Sequence, residues 1–151
     1  IATHGVMTGG FTVMEKAKRF GKKSNSGFYV YNENGKRDGF WEGLTKNFKS
    51  LDVQPDFSIV KDRLALIQCL EAVRALENNV LLDIREGDVG AILGWGCIPW
   101  AGGPFGWMDL KGSNWVYNKC EEFSLKFGKR FSAGSTLKKL ATKNLTFYEK
   151  Y

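Results

Sequence analysis

The sequence predicts an all-α domain over residues 52–151, preceded by a shorter segment of different character. Three observations carry that reading. Apolar residues between Ser58 and Leu110 recur at helical spacing. Helix-starting and helix-stopping residues, Asp56, Asp83, Pro104 and Gly128, stand at the ends of those runs. After Pro55 there is no stretch of the apolar–polar alternation that marks a half-buried strand.

The elements follow in chain order. Thr12 to Phe20 reads as the last turns of a helix, with Val13, Ala17 and Phe20 on one face and Gly21 as its stop. Gly27–Tyr31 reads as a short extended piece, and Asn34-Gly35 as a turn. Phe40, Trp41, Leu44 and Phe48 predict a short amphipathic helix. A boundary is placed at Leu51–Asp56, where Pro55 and flanking acids interrupt the chain. Charge changes there too. Residues 1–50 carry nine Lys/Arg against four Asp/Glu, whereas 51–151 carry thirteen against twelve. The longest helix is expected from Ser58 to Asn79, capped by Asp56 or Ser58. Val60, Leu64 and Ile67 line one side of it, and Leu66, Cys69, Val73 and Leu76 another, so it is expected at the domain centre. Asp83 with Glu86 resembles a capping box opening a helix through Val89, Ile92 and Leu93. Pro104 suits the first position of a helix through Trp107, Met108 and Leu110. Asn114–Phe127 is the next, closed by Gly128, and Thr136–Ala141 a short last one.

Composition narrows the function. With 43% hydrophobic and 25% charged residues and no apolar run near the ~20 needed to span a bilayer, the sequence excludes a disordered tail, a collagen-like fibre and a membrane protein. His4 is the single histidine, and Cys69, Cys97 and Cys120 are far apart. Most hydrolase and metal constellations cannot be assembled from such a set, and zinc would need clustered ligands. The cysteines read as reduced thiols of an intracellular protein. Ile1 stands where an initiator Met is usual and no signal segment follows, so the start reads as a cut inside a longer protein.

Several stretches invite functional readings. Gly94–Pro104 is glycine-rich, but Pro99 occupies the third Gly position of a dinucleotide fingerprint, a helix precedes it, and no P-loop motif occurs. It reads as a tight helix-to-helix connection with Trp95 and Trp100 packed over it. Its amides at Gly103-Pro104-Phe105 are nonetheless placed to hold a carboxylate or phosphate. Glu71 falls on the apolar face of Leu64 and Ile67, with Arg74 three residues on. It reads as a structural clamp, accepting bonds from Arg74 and loop amides, in preference to a general base. Asp83, Glu86 and Asp88 crowd a helix N-terminus, where negative charge is favoured without catalysis. Lys16, Lys18, Arg19, Lys22 and Lys23, followed by Phe28, Tyr29 and Tyr31, have the residue types of a nucleic-acid surface. The four-stranded sheet of an RNA-recognition motif has no support, so a solvated helix face is the preferred reading. His4, near a terminus, is expected to be exposed.

Two sets of motifs add a resemblance. Residues 19–31, from Arg19 through Ser26-Gly27-Phe28-Tyr29-Val30-Tyr31, are similar to the G-x-K-[ST]-G-x-G-F-Y-x-Y segment closing the helical domain of 3-hydroxyacyl-CoA dehydrogenases. The second set runs Asp62-Arg63-Leu64, Glu71 to Glu77, Asp88-Val89-Gly90, Gly94-Trp95-Gly96, Gly102-Gly103-Pro104-Phe105 and Asp109 to Gly112. It ends with Gly128 to Phe131 and Phe147-Tyr148. In this order they resemble the last helical domain of the multifunctional fatty-acid oxidation enzyme, the α subunit in bacteria. Asn25 departs from the usual Gly of the first segment, which Asn tolerates if the backbone is left-handed there.

The resemblance implies a C-terminal fragment: residues 1–51 the tail of a first helical domain, 52–151 a second, related one. It implies that NAD and the catalytic His–Glu pair belong to an absent Rossmann domain, so no catalytic or cofactor-binding residue is assigned here. The implied role is packing and substrate-pocket support for L-3-hydroxyacyl-CoA dehydrogenation, with the fragment inactive alone. Glu71, Arg74, Gly102, Gly103 and Pro104 are expected to be structural. Leu93, where some relatives carry an aromatic credited with touching acyl-CoA, is expected to line the acyl wall. Implied partners are the Rossmann and first helical domains, acyl-CoA and a thiolase subunit. The implied location is the bacterial cytoplasm, or the mitochondrial or peroxisomal matrix. The rival readings are a basic nucleic-acid-binding module and a protein-interaction module.

Overall fold

The computed structural model describes residues 4–48 and 52–151, with side chains from Gly9 onward. Among these residues it holds eight α-helices and one two-stranded sheet, an all-α architecture in its larger part. The chain divides into two compact units, 1–54 and 55–151.

In the first unit, α1 (His4–Lys16) stops four residues before the expected Phe20. Lys18 takes a left-handed φ of 54°, while Arg19 N–H donates to the Met14 carbonyl and Lys18 N–H to that of Glu15. That pair of bonds closes a helix whichever residue fills the left-handed position, so Gly21 is not the stop. Strands β1 (Tyr29–Tyr31) and β2 (Arg37–Phe40) pair antiparallel, Tyr29 opposite Phe40, around a turn that contains Asn34-Gly35. The Asn32 side chain shapes that turn by accepting from the Asn34 and Lys36 amides, both at 3.0 Å. The amphipathic helix expected from Phe40 shrinks to α2 (Gly43–Asn47), because Phe40 stacks on Tyr29 across the hairpin at 4.9 Å. Asn25 is left-handed, with φ 49°.

In the second unit, α3 (Phe57–Glu77) is capped by Asp56, whose side chain accepts from Ser58 N–H at 2.7 Å. α4 (Ile84–Trp95) is capped by Asp83, which accepts from Arg85 N–H. α5 (Pro104–Lys111), α6 (Ser113–Phe127) and α7 (Ser135–Lys143) follow at or within two residues of their expected bounds. α8 (Phe147–Lys150) was not expected; Thr146 and Glu149 form its reciprocal capping box. The core is built on Leu66, Cys69, Leu70 and Val73 of α3, with Phe105, Met108, Val116, Phe123, Leu137 and Phe147 around them. Each such side chain, fully withdrawn from water, contributes roughly 1.5–3 kcal/mol before entropy is counted. On the expected side of α3 led by Val60, Leu64 and Ile67, Leu64 is 61% exposed, whereas Val60 and Ile67 are half-buried. All three cysteines are free and buried. Among the described residues no helix is long and apolar enough to cross a membrane.

Candidate functional site

Every α-helix begins with backbone N–H groups that have no partner inside the helix. In α5 these are settled residue by residue. Pro104 has no N–H, and Trp107 N–H already donates to the Gly103 carbonyl at 2.9 Å. Phe105 and Gly106 remain, and both donate to the carboxylate of Asp88 on α4, at 2.7 and 3.1 Å. Tyr148 of α8 adds its hydroxyl to the same carboxylate at 2.9 Å. Asp88 is 3% exposed, so its charge is held by three donors and the positive end of the α5 dipole.

Close approach of the loop to Asp88 requires glycine. Gly103 has φ +100°, and a Cβ there would lie 2.6 Å from Asp88 Oδ1 and 2.8 Å from its Cα. Gly102 is also left-handed, at φ +81°, and precedes it in the short 3₁₀ connection from Pro99. The expected connection between helices is therefore present. Of the three positions expected to hold an anion, only Phe105 donates to a carboxylate, joined by Gly106. Pro104 has no N–H, Gly103 N–H goes to the Ile98 carbonyl, and the carboxylate is the chain's own.

Two further carboxylates act in the same way. Asp109 on α5 accepts from Phe147 and Tyr148 N–H at 2.7 and 3.0 Å, capping α8. Glu77 on α3 accepts from Thr136 N–H at 2.7 Å and from the Ser135 hydroxyl, capping α7. Burial raises the Asp109 carboxyl above its ordinary range, against the two amides that lower it, with the Asp88 and Glu149 charges adding to the rise. The Tyr148 hydroxyl is pushed up to about 12 by burial, by its bond to Asp88 and by the charges of Asp88, Asp109 and Asp83. Burial lifts the Cys69 thiol far above its usual range and Cys120 to about 12.

The residues singled out by sequence are distributed differently from expectation. Arg74 does donate to Glu71, but Glu71 is exposed, its side chain 66% accessible, and no loop amide donates to it among the described bonds. Glu71 shares the solvent side of α3 with Leu64, seven residues earlier; the buried side is that of Leu66, Leu70 and Val73. The clamp is Asp88, which the sequence reading left without a role at a crowded helix start. Arg74 instead spans to the carbonyl of Arg130. Trp95 and Trp100 do not pack over the connection; they are 68% and 73% exposed, Trp95 donating to Gln68 at 3.2 Å. Leu93 is 81% exposed. The His4 side chain lies outside the described residues.

In the first unit the basic run is not one helix face, since only Lys16 lies in α1. Arg19 is committed internally: it donates to the carbonyls of Gly27 and Tyr29, at 2.7 and 3.1 Å, and stacks over Trp41. Arg37 covers Tyr29 at 4.4 Å, so that ring is not a free stacking platform.

An apolar cleft of about 560 Å³ runs between α3 and α4, walled by Ala72, Ala75, Gly87, Gly90, Ala91 and Trp95. The missing side chain of Gly87 lets Leu81 and Phe105 pack against α4, since a Cβ there would meet them at 2.6 and 2.9 Å. Glu71 and Glu86 border it. Apart from Gln68 and those two glutamates, its lining is apolar.

No protein-family model matches the chain. Individual proteins do. A fatty acid oxidation complex subunit alpha from Vibrio parahaemolyticus is 34% identical over 143 residues, 91% of this chain and 20% of that protein. The subunit of the same name from Vibrio cholerae is 36% identical over 128 residues, 81% of this chain and 17% of that protein. One from a Shewanella species is 32% identical over 135 residues, covering 86% and 19%. The chain is a homologue of the C-terminal part of these alpha subunits. It spans about a fifth of the length of the curated relatives it matches.

Asp88 and Asp109 stand in the motifs Asp88-Val89-Gly90 and Asp109-Leu110-Lys111-Gly112, the sequence signal that could have found them. What the motifs lacked was the partner of each carboxylate, which lies 17 or 38 residues further along the chain.

Proposed function

We propose that this chain is the C-terminal helical part of a fatty-acid β-oxidation multifunctional enzyme, with residues 1–51 the tail of one helical domain and 52–151 a second. Its task is to support NAD-dependent L-3-hydroxyacyl-CoA dehydrogenation by packing and by walling the substrate pocket. The observation that carries the reading is the match to fatty acid oxidation complex alpha subunits over about 90% of the chain. The α3–α4 cleft, largely apolar with Glu71 and Glu86 at its border, supplies a surface suited to walling an apolar group.

In this role Asp88, Gly103 and Pro104 hold α4, α5 and α8 as one rigid block, and Leu93 presents an apolar side chain outward from that block. The proton and hydride transfers belong to a histidine and a bound NAD elsewhere in the parent enzyme. The same reading gives the parent a cytoplasmic location in bacteria and a thiolase subunit as partner.

The test is direct. The purified 151-residue chain, mixed with NAD and an L-3-hydroxyacyl-CoA, is expected to give no NADH absorbance, whereas the parent enzyme gives it and loses it when the region equivalent to 55–151 is deleted. NADH formation by the chain alone, or full activity of the deleted parent, overturns the reading.

A further inference from the structure

Between α3 and the 3₁₀ turn Lys129–Phe131 lies a separate cleft of about 270 Å³, lined by Val60, Arg63, Leu64, Ile67, Arg130 and Phe131. None of the six is acidic. Neither guanidinium is paired with a carboxylate among the described residues. Arg63 lies 3.8 Å over the Phe127 ring and Arg130 5.6 Å over Phe131, and those two rings meet edge to face at 6.0 Å. The backbone beneath Arg130 is fixed by Arg74, which donates to its carbonyl. Among the described residues neither guanidinium makes a hydrogen bond or ion pair, and the Arg63 Nε–H is buried with no acceptor.

A buried N–H without an acceptor is rare in a folded protein and calls for one from outside. We propose that this cleft binds a phosphate monoester, its phosphate between Arg63 and Arg130 and its organic group against Val60, Leu64 and Ile67. Charge selects the phosphate. A monoester carries about −1.5 to −2 near pH 7, matching two guanidiniums, whereas a carboxylate matches one. Geometry agrees, since the planar fork of Arg places two N–H groups on two oxygens of one phosphate. The neighbouring aliphatic surface favours an ester over the free ion.

The ¹⁵N-labelled chain is titrated with phenyl phosphate and with inorganic phosphate while the arginine Nε–H resonances are followed, and is sedimented with phosphatidylcholine vesicles containing phosphatidate. The Arg63 resonance is expected to shift saturably with phenyl phosphate, and at higher concentration with inorganic phosphate. Arg130→Gln, at an exposed side chain, is expected to weaken binding at least fivefold, as is Arg63→Lys, which keeps the charge and the packing stem but loses the fork. Lys139→Gln on α7 leaves it unchanged. Sedimentation with phosphatidate vesicles, lost in Arg130→Gln and without response to either soluble phosphate, assigns the phosphate to a lipid headgroup. No saturable response to any of the three probes, or an equal loss in Lys139→Gln, overturns the proposal.

Discussion

The Tyr148 hydroxyl donates to Asp88 Oδ2 at 2.9 Å and so joins the last helix of the chain to α4 across 60 residues of sequence. The same carboxylate closes the start of α5. One side chain thus fixes three helices whose own contacts are short, and it does so from a buried position where losing a partner is costly.

Removing the carboxylate is expected to destabilise the second unit strongly. Asp88→Ala leaves the Phe105 and Gly106 amides without an acceptor and is expected to cost about 3 kcal/mol or more. Tyr148→Phe removes one of the three donors and is expected to cost about 1–2 kcal/mol. The double variant is expected to be less destabilised than the sum, with a coupling of roughly 0.5–3 kcal/mol, because both substitutions remove the same bond. Urea unfolding of the four proteins measures all three values. Strict additivity would show that Tyr148 and Asp88 do not act together.

Adjacent glycines are expected to behave differently. Both Gly102 and Gly103 have positive φ, so Ala at either position pays roughly 1–2 kcal/mol of backbone strain. Gly102 faces open space, whereas a Cβ on Gly103 would drive into Asp88. Gly103→Ala is therefore expected to cost at least about 2 kcal/mol more than Gly102→Ala. Thermal unfolding of the two variants side by side is sufficient; equal melting temperatures would contradict the close approach.

Alkaline pH is expected to weaken the second unit. Tyr148 is 49% exposed, yet its hydroxyl faces Asp88 and its pKa rises to about 12 in the fold, above the ordinary value of about 10. A native state that keeps the proton longer than the unfolded chain loses stability as pH climbs between those values. The buried Cys69 and Cys120 thiols add a loss of the same sign, starting near the ordinary thiol pKa. Urea midpoints at pH 9 and 11 are expected to fall in the wild type and to fall less in Tyr148→Phe. Identical slopes in the two proteins would remove Tyr148 from the alkaline transition.

Leu93 separates stability from function. At 81% exposure, Leu93→Ser is expected to change stability by no more than about 0.5 kcal/mol, whereas Leu66→Ala in the core is expected to cost about 2–5 kcal/mol. Placed in the parent enzyme, Leu93→Ser is expected to raise KM for a long-chain 3-hydroxyacyl-CoA with kcat little changed, read by steady-state kinetics. An unaltered KM would take Leu93 out of the acyl wall.

Local chemistry made much of the second unit legible before any coordinates. Asp56, Asp83, Pro104 and Gly128 act on backbone groups within a few residues, and the helices they bound fall at or within two residues of expectation. Asn25, a residue type that tolerates a left-handed backbone, adopts one. Periodicity served less well where it had to choose a face. On α3 two apolar stripes competed, and only packing against α5, α6 and α7 decided that Leu66, Leu70 and Val73 go inside while Leu64 and Glu71 stay out. Phe40 failed for a related reason. Its helical spacing to Leu44 was real, but stacking on Tyr29 across the hairpin outweighs a propensity worth tenths of a kcal/mol.

Alone, then, the sequence determined the helical class, the starts and stops of α3 to α7 to within two residues and the likeness to the alpha subunits, all of which depend on neighbours along the chain or on motif order. Tertiary structure alone decided which carboxylates are structural. Asp88, Asp109 and Glu77 look like surface acids in one dimension, and each becomes a cap only when another helix brings its unpaired N–H groups, 17, 38 and 59 residues distant, to within hydrogen-bonding reach. Hydrogen bonding requires contact within about 3 Å, and sequence separation carries no information about which distant amides will meet that limit.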